Sequence, residues 1–262
     1  MVLESLVVPE KIGNTRRGMF FAGFIYSTVG LFLAYTVFRA QASMASVSFT
    51  AIPLVVVMYR TLRYEEGKDF RIKGNFPLLK EHLHVLYLFL YLFLGLVASF
   101  TLWYFVLPSE VGGLLFKAQN EAIIGIRRGV GTGSFTGAQD FLVKIVLNNL
   151  RVWGFCILFS FLYGAGAIFI LTWNASVLAA ALRESPSPMY LLHGLPEIAA
   201  YFLAALAGGI ISVAVANHHY KSKEFGEIVV DSLDLVVVSL LILVASAFVE
   251  VYVSLSLMRL GL

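Results

Sequence analysis

Residues 83 to 107, "LHVLYLFLYLFLGLVASFTLWYFVL", contain no Lys, Arg, Asp or Glu. Wound as an α-helix at 1.5 Å per residue, this stretch is about 37 Å long, more than the roughly 30 Å of bilayer hydrocarbon. Backbone amides are satisfied inside lipid only by a helix or a closed barrel, and barrel strands alternate in character over about ten residues. This run does not alternate, so it reads as a spanning helix. Five more runs, at 18–38, 44–60, 150–173, 190–216 and 234–258, are predominantly apolar and long enough to be candidate spans. The expected fold is all-α, a polytopic transmembrane helical bundle with about six spans. The run at 44–60 is short and carries Pro53, which suits a tilted or re-entrant segment as well as a full crossing.

Composition agrees: 59% of the 262 residues are hydrophobic, 13% are charged, and the mean hydropathy is +0.85. Soluble domains hold about 45–50% apolar residues. The net charge of +3 comes from Lys and Arg lying between apolar runs, where they act as membrane flanks, so no nucleic-acid partner is implied. Cys156 is the single cysteine, which excludes an intramolecular disulfide. The N-terminal "MVLESLVVPEKIGNTRRG" lacks the charged-then-apolar order of a cleaved signal, so the first apolar run is expected to stay as a span.

Lys11, Arg16 and Arg17 precede the first span, and "RTLRYEEGKDFRIKGNFPLLK" adds six basic residues between the second and third. By the excess of Lys and Arg in cytoplasmic loops, a six-span protein of the cell membrane has both termini in the cytoplasm. The chain divides at residue 82. Residues 1–82 form an N-terminal transmembrane hairpin with a cytoplasmic basic loop, and 83–262 form a transmembrane core with a polar loop at 108–149. One or two surface helices are expected in that loop. Its "GVGTGSFTG" lacks the Lys-Ser/Thr pair of a phosphate loop and reads as a linker. Arg151, beside Asn148 and Asn149, marks the interface end of the fourth span, its guanidinium reaching outward.

Each residue of a helix advances about 100°. On the fifth span, His193, Ala200, Ala204, Gly208 and Ser212 fall within about 60° of Glu197, so one face holds both ionisable groups and the small residues. On the sixth, Ser232, Ser239, Ser246 and Ser254 fall within about 40° of Glu250. The fourth, read as continuous, lines up Asn149, Cys156, Ser160, Ala167 and Asn174. The helix-packing seam is therefore Asn149, Ser160, Ala204, Gly208, Ser239 and Ser246. Asn174, His193, Glu197 and Glu250 lie toward one membrane face and form the candidate intramembrane polar or ion-binding cluster. An ionisable residue inside a membrane span is by default a functional-site hypothesis. The plainer reading makes Pro196 a first-turn residue, with Glu197 on the helix dipole. The two-histidine zinc-protease signature is absent, so no metal, cofactor or catalytic residue is assigned.

"NNLRVWGFCILFSFLYGAGAIFILTWNASVLAAAL", "HGLPEIAAYFLAALAGGIIS" and "LLILVASAFVEVYVS" resemble, in order and spacing, the stage II sporulation protein M family over residues 83 to 258. The Asn-Asn-Leu-x-Val entry, Asn174, the His193-Gly194-x-x-Glu197 motif and Glu250 carry the resemblance. Where the family has Asn-Gly, this chain has Asn174 and Ala175. The resemblance implies a membrane anchor for an envelope complex. The expected function is thus a non-enzymatic scaffold or recruitment factor in the lipid bilayer, with a protein partner or a homo-oligomer. The alternative is a proton- or cation-coupled transporter or channel using His193, Glu197 and Glu250.

Overall fold

The structure, a computed structural model, describes residues 15–69, 78–131, 138–160, 165–184, 189–216 and 225–254. The described residues form nine α-helices and no strand. In order they are α1 (Arg16–Val37), α2 (Ala42–Asp69), α3 (Leu78–Val106), α4 (Ser109–Leu115), α5 (Lys117–Gly131), α6 (Ala138–Ser160), α7 (Ala165–Glu184), α8 (Met189–Ala216) and α9 (Phe225–Val249). A 3-10 turn, Arg39–Gln41, joins the first two helices, and a π-helical turn, Glu250–Ser254, extends the last. Thr15 caps α1, its hydroxyl accepting from the amide of Gly18 at 3.1 Å.

Seven of these helices are long and apolar enough to cross a membrane, one more than the six expected. The extra one comes from the run at 150–173, which the structure divides. Leu142–Ser160 of α6 and Ala167–Glu184 of α7 are separate candidate spans. Ala167 and Asn174 therefore do not continue the seam of Asn149, Cys156 and Ser160. Arg151 is not at an interface end either; it lies midway along the α6 span. The segment with Pro53 is one uninterrupted helix. Pro53 has no N–H to donate to the carbonyl of Phe49, a loss membrane helices tolerate.

Pair contacts fix the directions of the helices. Gly23 of α1 lies against Leu92 and Leu96 of α3; further on, Thr28 Oγ1 and Ser99 Oγ are 3.0 Å apart, and Trp103 Nε1 donates to Thr28 Oγ1 at 2.9 Å. Numbers rise together, so α1 and α3 are parallel, with α2 returning between them. Arg183 at the end of α7 donates to the carbonyl of Tyr104 and stands 4.8 Å from that ring's centroid, so α7 ends where α3 ends. α6, joined to α7 through four residues, therefore begins on the face where α3 ends. α8 is the central post: it touches α2, α3, α6, α7 and α9, and every residue from Ala200 to Ile210 is buried.

The polar stretch after α3 forms the two helices α4 and α5, which expose Glu110, Lys117 and Glu121 on one side and bury the other. Phe116, between α4 and α5, is buried, stacks on Tyr104 with centroids 4.2 Å apart and meets Phe100 edge-on. Gln119 is fully buried and donates through Nε2 to Ser176 Oγ of α7 at 3.0 Å; Asn120 Nδ2 donates to the Tyr104 hydroxyl at 2.7 Å. One face of this segment is thus inserted between α3 and α7. Residues 132–137, most of the glycine-rich "GVGTGSFTG", lie outside the described residues.

Candidate functional site

Pro196 sits inside α8 and leaves the carbonyl of Leu192 without its usual amide donor. One residue later Glu197 projects its carboxylate, and one turn on is Tyr201, the largest fully buried side chain. The i, i+4 spacing places the two side chains on one face. The Tyr201 hydroxyl donates to Glu197 Oε1 at 2.5 Å. Glu250, in the π-helical turn that closes α9, is near enough for electrostatic interaction with both Glu197 and Tyr201. Cys156 of α6 is buried and also interacts with Tyr201. Three helices thus meet around two carboxylates, a phenol and a thiol.

The other expected members stand differently. Asn174 donates its amide to the carbonyl of Ile170, one turn back on its own helix, at 2.8 Å. His193 belongs to α8, but its side chain lies outside the described residues, as do His218 and His219. Among the described residues no group of three His, Cys, Asp or Glu is arranged to hold a metal ion.

The six seam residues are all buried. A Cβ on Gly208 would overlap Ser160 Oγ, so α8 rests directly on α6 there. Ser160 Oγ donates to the carbonyl of Ile157 at 2.6 Å, and Ser246 Oγ to that of Leu243 at 2.8 Å, so both hydroxyls are satisfied within their helices. Ser239 also receives the indole N–H of Trp153 at 2.8 Å, tying α6 to α9.

Tyr201 and the Gln119–Ser176 pair escaped the reading of the sequence. A tyrosine four residues after Glu197 was the available signal for the first. No sequence signal marked the second, because Gln119 lies in a stretch polar enough to pass for surface. Beside Glu197, on the far side of Pro196, an apolar cleft of about 320 Å³ opens between α3 and α8, lined by Leu86, Tyr87, Leu90, Leu195, Pro196 and Ala199.

The sequence itself matches a known family. The sequence model of stage II sporulation protein M matches residues 87–255. The chain belongs to the stage II sporulation protein M family. The matched region runs from within α3 through the π-helical turn and so contains both glutamates, whereas α1 and α2 precede it. No curated protein and no solved structure matches the chain.

Removing the phenol tests the bond at the centre of this site. Tyr201→Phe leaves a buried carboxylate oxygen without its donor, a change that costs about 1–3 kcal/mol. Thermal unfolding in detergent should show that loss, and the loss should shrink in a Glu197→Gln background, where the carboxyl acceptor is already gone.

Proposed function

We propose that this family member is a non-enzymatic membrane scaffold, whose buried polar groups lock the spans into one arrangement and leave its outer faces to partners. The observation that carries the reading is the closure of the core around Glu197. Its carboxylate is bonded to Tyr201, and the α8 segment from Ala200 to Ile210 is packed on all sides. Side-chain hydrogen bonds tie α1 to α3, α5 to α3 and α7, and α6 to α9. A bundle cross-braced in this way holds a fixed shape.

The seven candidate spans also bear on orientation. With seven crossings, the start of α1 and the end of α9 lie on opposite faces. With the N-terminal end in the cytoplasm, the connection after α8, which carries Lys221 and Lys223, falls on the cytoplasmic side together with the basic stretch between α2 and α3. A six-span arrangement would put those lysines outside, against the usual bias.

The approach of Glu250 to Glu197 favours a second reading, in which the pair takes up a proton or cation during transport. Flux in proteoliposomes separates the two. Under the scaffold reading, the purified protein carries no proton, Na⁺ or K⁺ current above empty vesicles under an imposed gradient. Flux in the wild type that disappears in folded Glu197→Gln and Glu250→Gln variants would establish transport instead.

A further inference from the structure

The first turns of α1 and α3 hold a cation beside an apolar cleft. Arg16 opens α1, and its guanidinium carbon stands 4.8 Å from the ring centroid of Tyr87 on α3. Tyr87 in turn lines the cleft of about 320 Å³ between α3 and α8, with Leu90 one turn further along α3 and Pro196 and Ala199 across from it on α8. One exposed ring therefore joins the cation to the hollow. Arg16 is itself exposed and has no hydrogen-bond or ion-pair partner among the described residues. A cation–π contact uses none of the five N–H donors of a guanidinium, whose planar fork matches a phosphate.

Depth gives this arrangement its meaning. α1 and α3 run parallel, and Arg16 and His84 open their candidate spans. Tyr87 is about 5 Å into the α3 span and Leu90 about 9 Å. The cation is thus at the level of lipid headgroups, and the cleft begins just inside it, where acyl chains begin. An apolar cavity of about 150 Å³ accepts a benzene ring, so a cleft of about 320 Å³ takes on the order of a dozen chain carbons.

We propose that this cleft binds one phospholipid of net negative charge, its acyl chain lying along Leu90, Pro196 and Ala199 and its phosphate on the guanidinium of Arg16. Lipid tails are as apolar as the cleft, so the chain gains little by leaving its neighbours and selectivity falls to the headgroup. Arg16 already stands on Tyr87 and Arg17 follows it, so a headgroup that ends in its own cation meets like charge there, whereas an anionic one does not. The lipid bridges α1, which precedes the family-matched region, to α3 and α8 within it. This site does not depend on the scaffold reading: a protein that conducts ions would overturn that reading and leave the lipid site standing.

The test weighs the intact protein with its lipid. Protein stripped of lipid in detergent is mixed with phosphatidylglycerol or with phosphatidylcholine of the same chains, and retained lipid is counted by native mass spectrometry. One phosphatidylglycerol should be held with about fivefold or greater preference. It should also raise the unfolding temperature of the wild type, because it binds the folded state. Arg16→Gln should erase both the preference and the shift. Ala199→Phe, which fills the cleft, should lower retention of either lipid. Arg39→Gln is the control: Arg39 makes the same kind of contact with Tyr35, 5.2 Å from its centroid, at the other end of α1, and its loss should change neither readout. Thermal unfolding identifies folded variants, and where Ala199→Phe does not fold, Leu90→Phe fills the cleft from α3. Equal retention of the two lipids, a preference that survives Arg16→Gln, or an equal loss from Arg39→Gln would overturn the inference. So would undiminished binding to a folded variant whose cleft is filled.

Discussion

A methyl group on Gly95 is expected to unseat the first helix from the third. The Cβ of an alanine there would overlap the carbonyl oxygen of Phe20, and from the other side a Cβ on Gly23 would overlap the carbonyl of Leu92. These obstacles are backbone atoms, which cannot swing aside as a side-chain end can. Close approach of this kind is what small residues provide between membrane helices, where packing takes over much of the role of the hydrophobic effect. Alanine favours a helix over glycine by about 0.5–1 kcal/mol, but overpacking costs about 1–3 kcal/mol or more, so the steric term wins. Gly95→Ala should lower the apparent unfolding temperature in detergent by roughly 5 °C, at about 2–4 °C per kcal/mol. Gly113→Ala is the control: a Cβ there meets nothing within 4 Å. An unchanged Gly95→Ala protein would mean that α1 and α3 do not touch in this way.

Phe202→Ala is expected to have a still larger effect. Phe202 is buried in the middle of α8, stacked on Phe89 with centroids 5.4 Å apart and edge-on to Phe93 at 6.4 Å. The ring is a principal link from α8 to α3, and its loss leaves a cavity neither helix can close alone. Phenylalanine-to-alanine changes in cores cost about 3–5 kcal/mol. Leu102→Ala, on the exposed side of α3, should stay within about 0.5 kcal/mol of wild type. Similar losses from both variants would mean that Phe202 is not a core residue.

Much of the fold was legible because a lipid solvent makes a strong demand: a chain that crosses must satisfy its backbone within the span, and a long uncharged run reports that directly. The run at 83–107 needed no further information. The run at 150–173 was misread because hydropathy is blind to chain reversal. Its residues stay apolar through the break, and only Gly164 and Gly166 punctuate it. The buried face of the stretch holding Gln119 was missed for the opposite reason. Its buried polar side chains find partners at Ser176 and Tyr104, and those partners become visible only when α3 and α7 are in place.

At the site, helical periodicity placed Glu197 and the small residues of α8 on one face, and counting from helix ends placed Glu250 at a similar depth. Periodicity could not tell which neighbour a polar group prefers. The Asn174 amide turns back to Ile170 on its own helix, a local alternative open to any such residue. Nor does a sequence show that Tyr201 will choose Glu197. The spacing permits the bond, and burial by the surrounding helices makes it valuable.

The parallel contact of α1 and α3 has a consequence for how the protein is made. Gly30 of α1 packs against Ser46 and Thr50 of α2, but the surface around Gly23 has no partner until residues 92–103 have been synthesised, some seventy residues later. During that interval the first hairpin resides in the membrane with Thr28 lacking both Ser99 and Trp103. Until α3 arrives, Thr28 keeps only its bond to the carbonyl of Phe24 on its own helix. The ribosome must be well past residue 103 before the N-terminal part of the bundle can close.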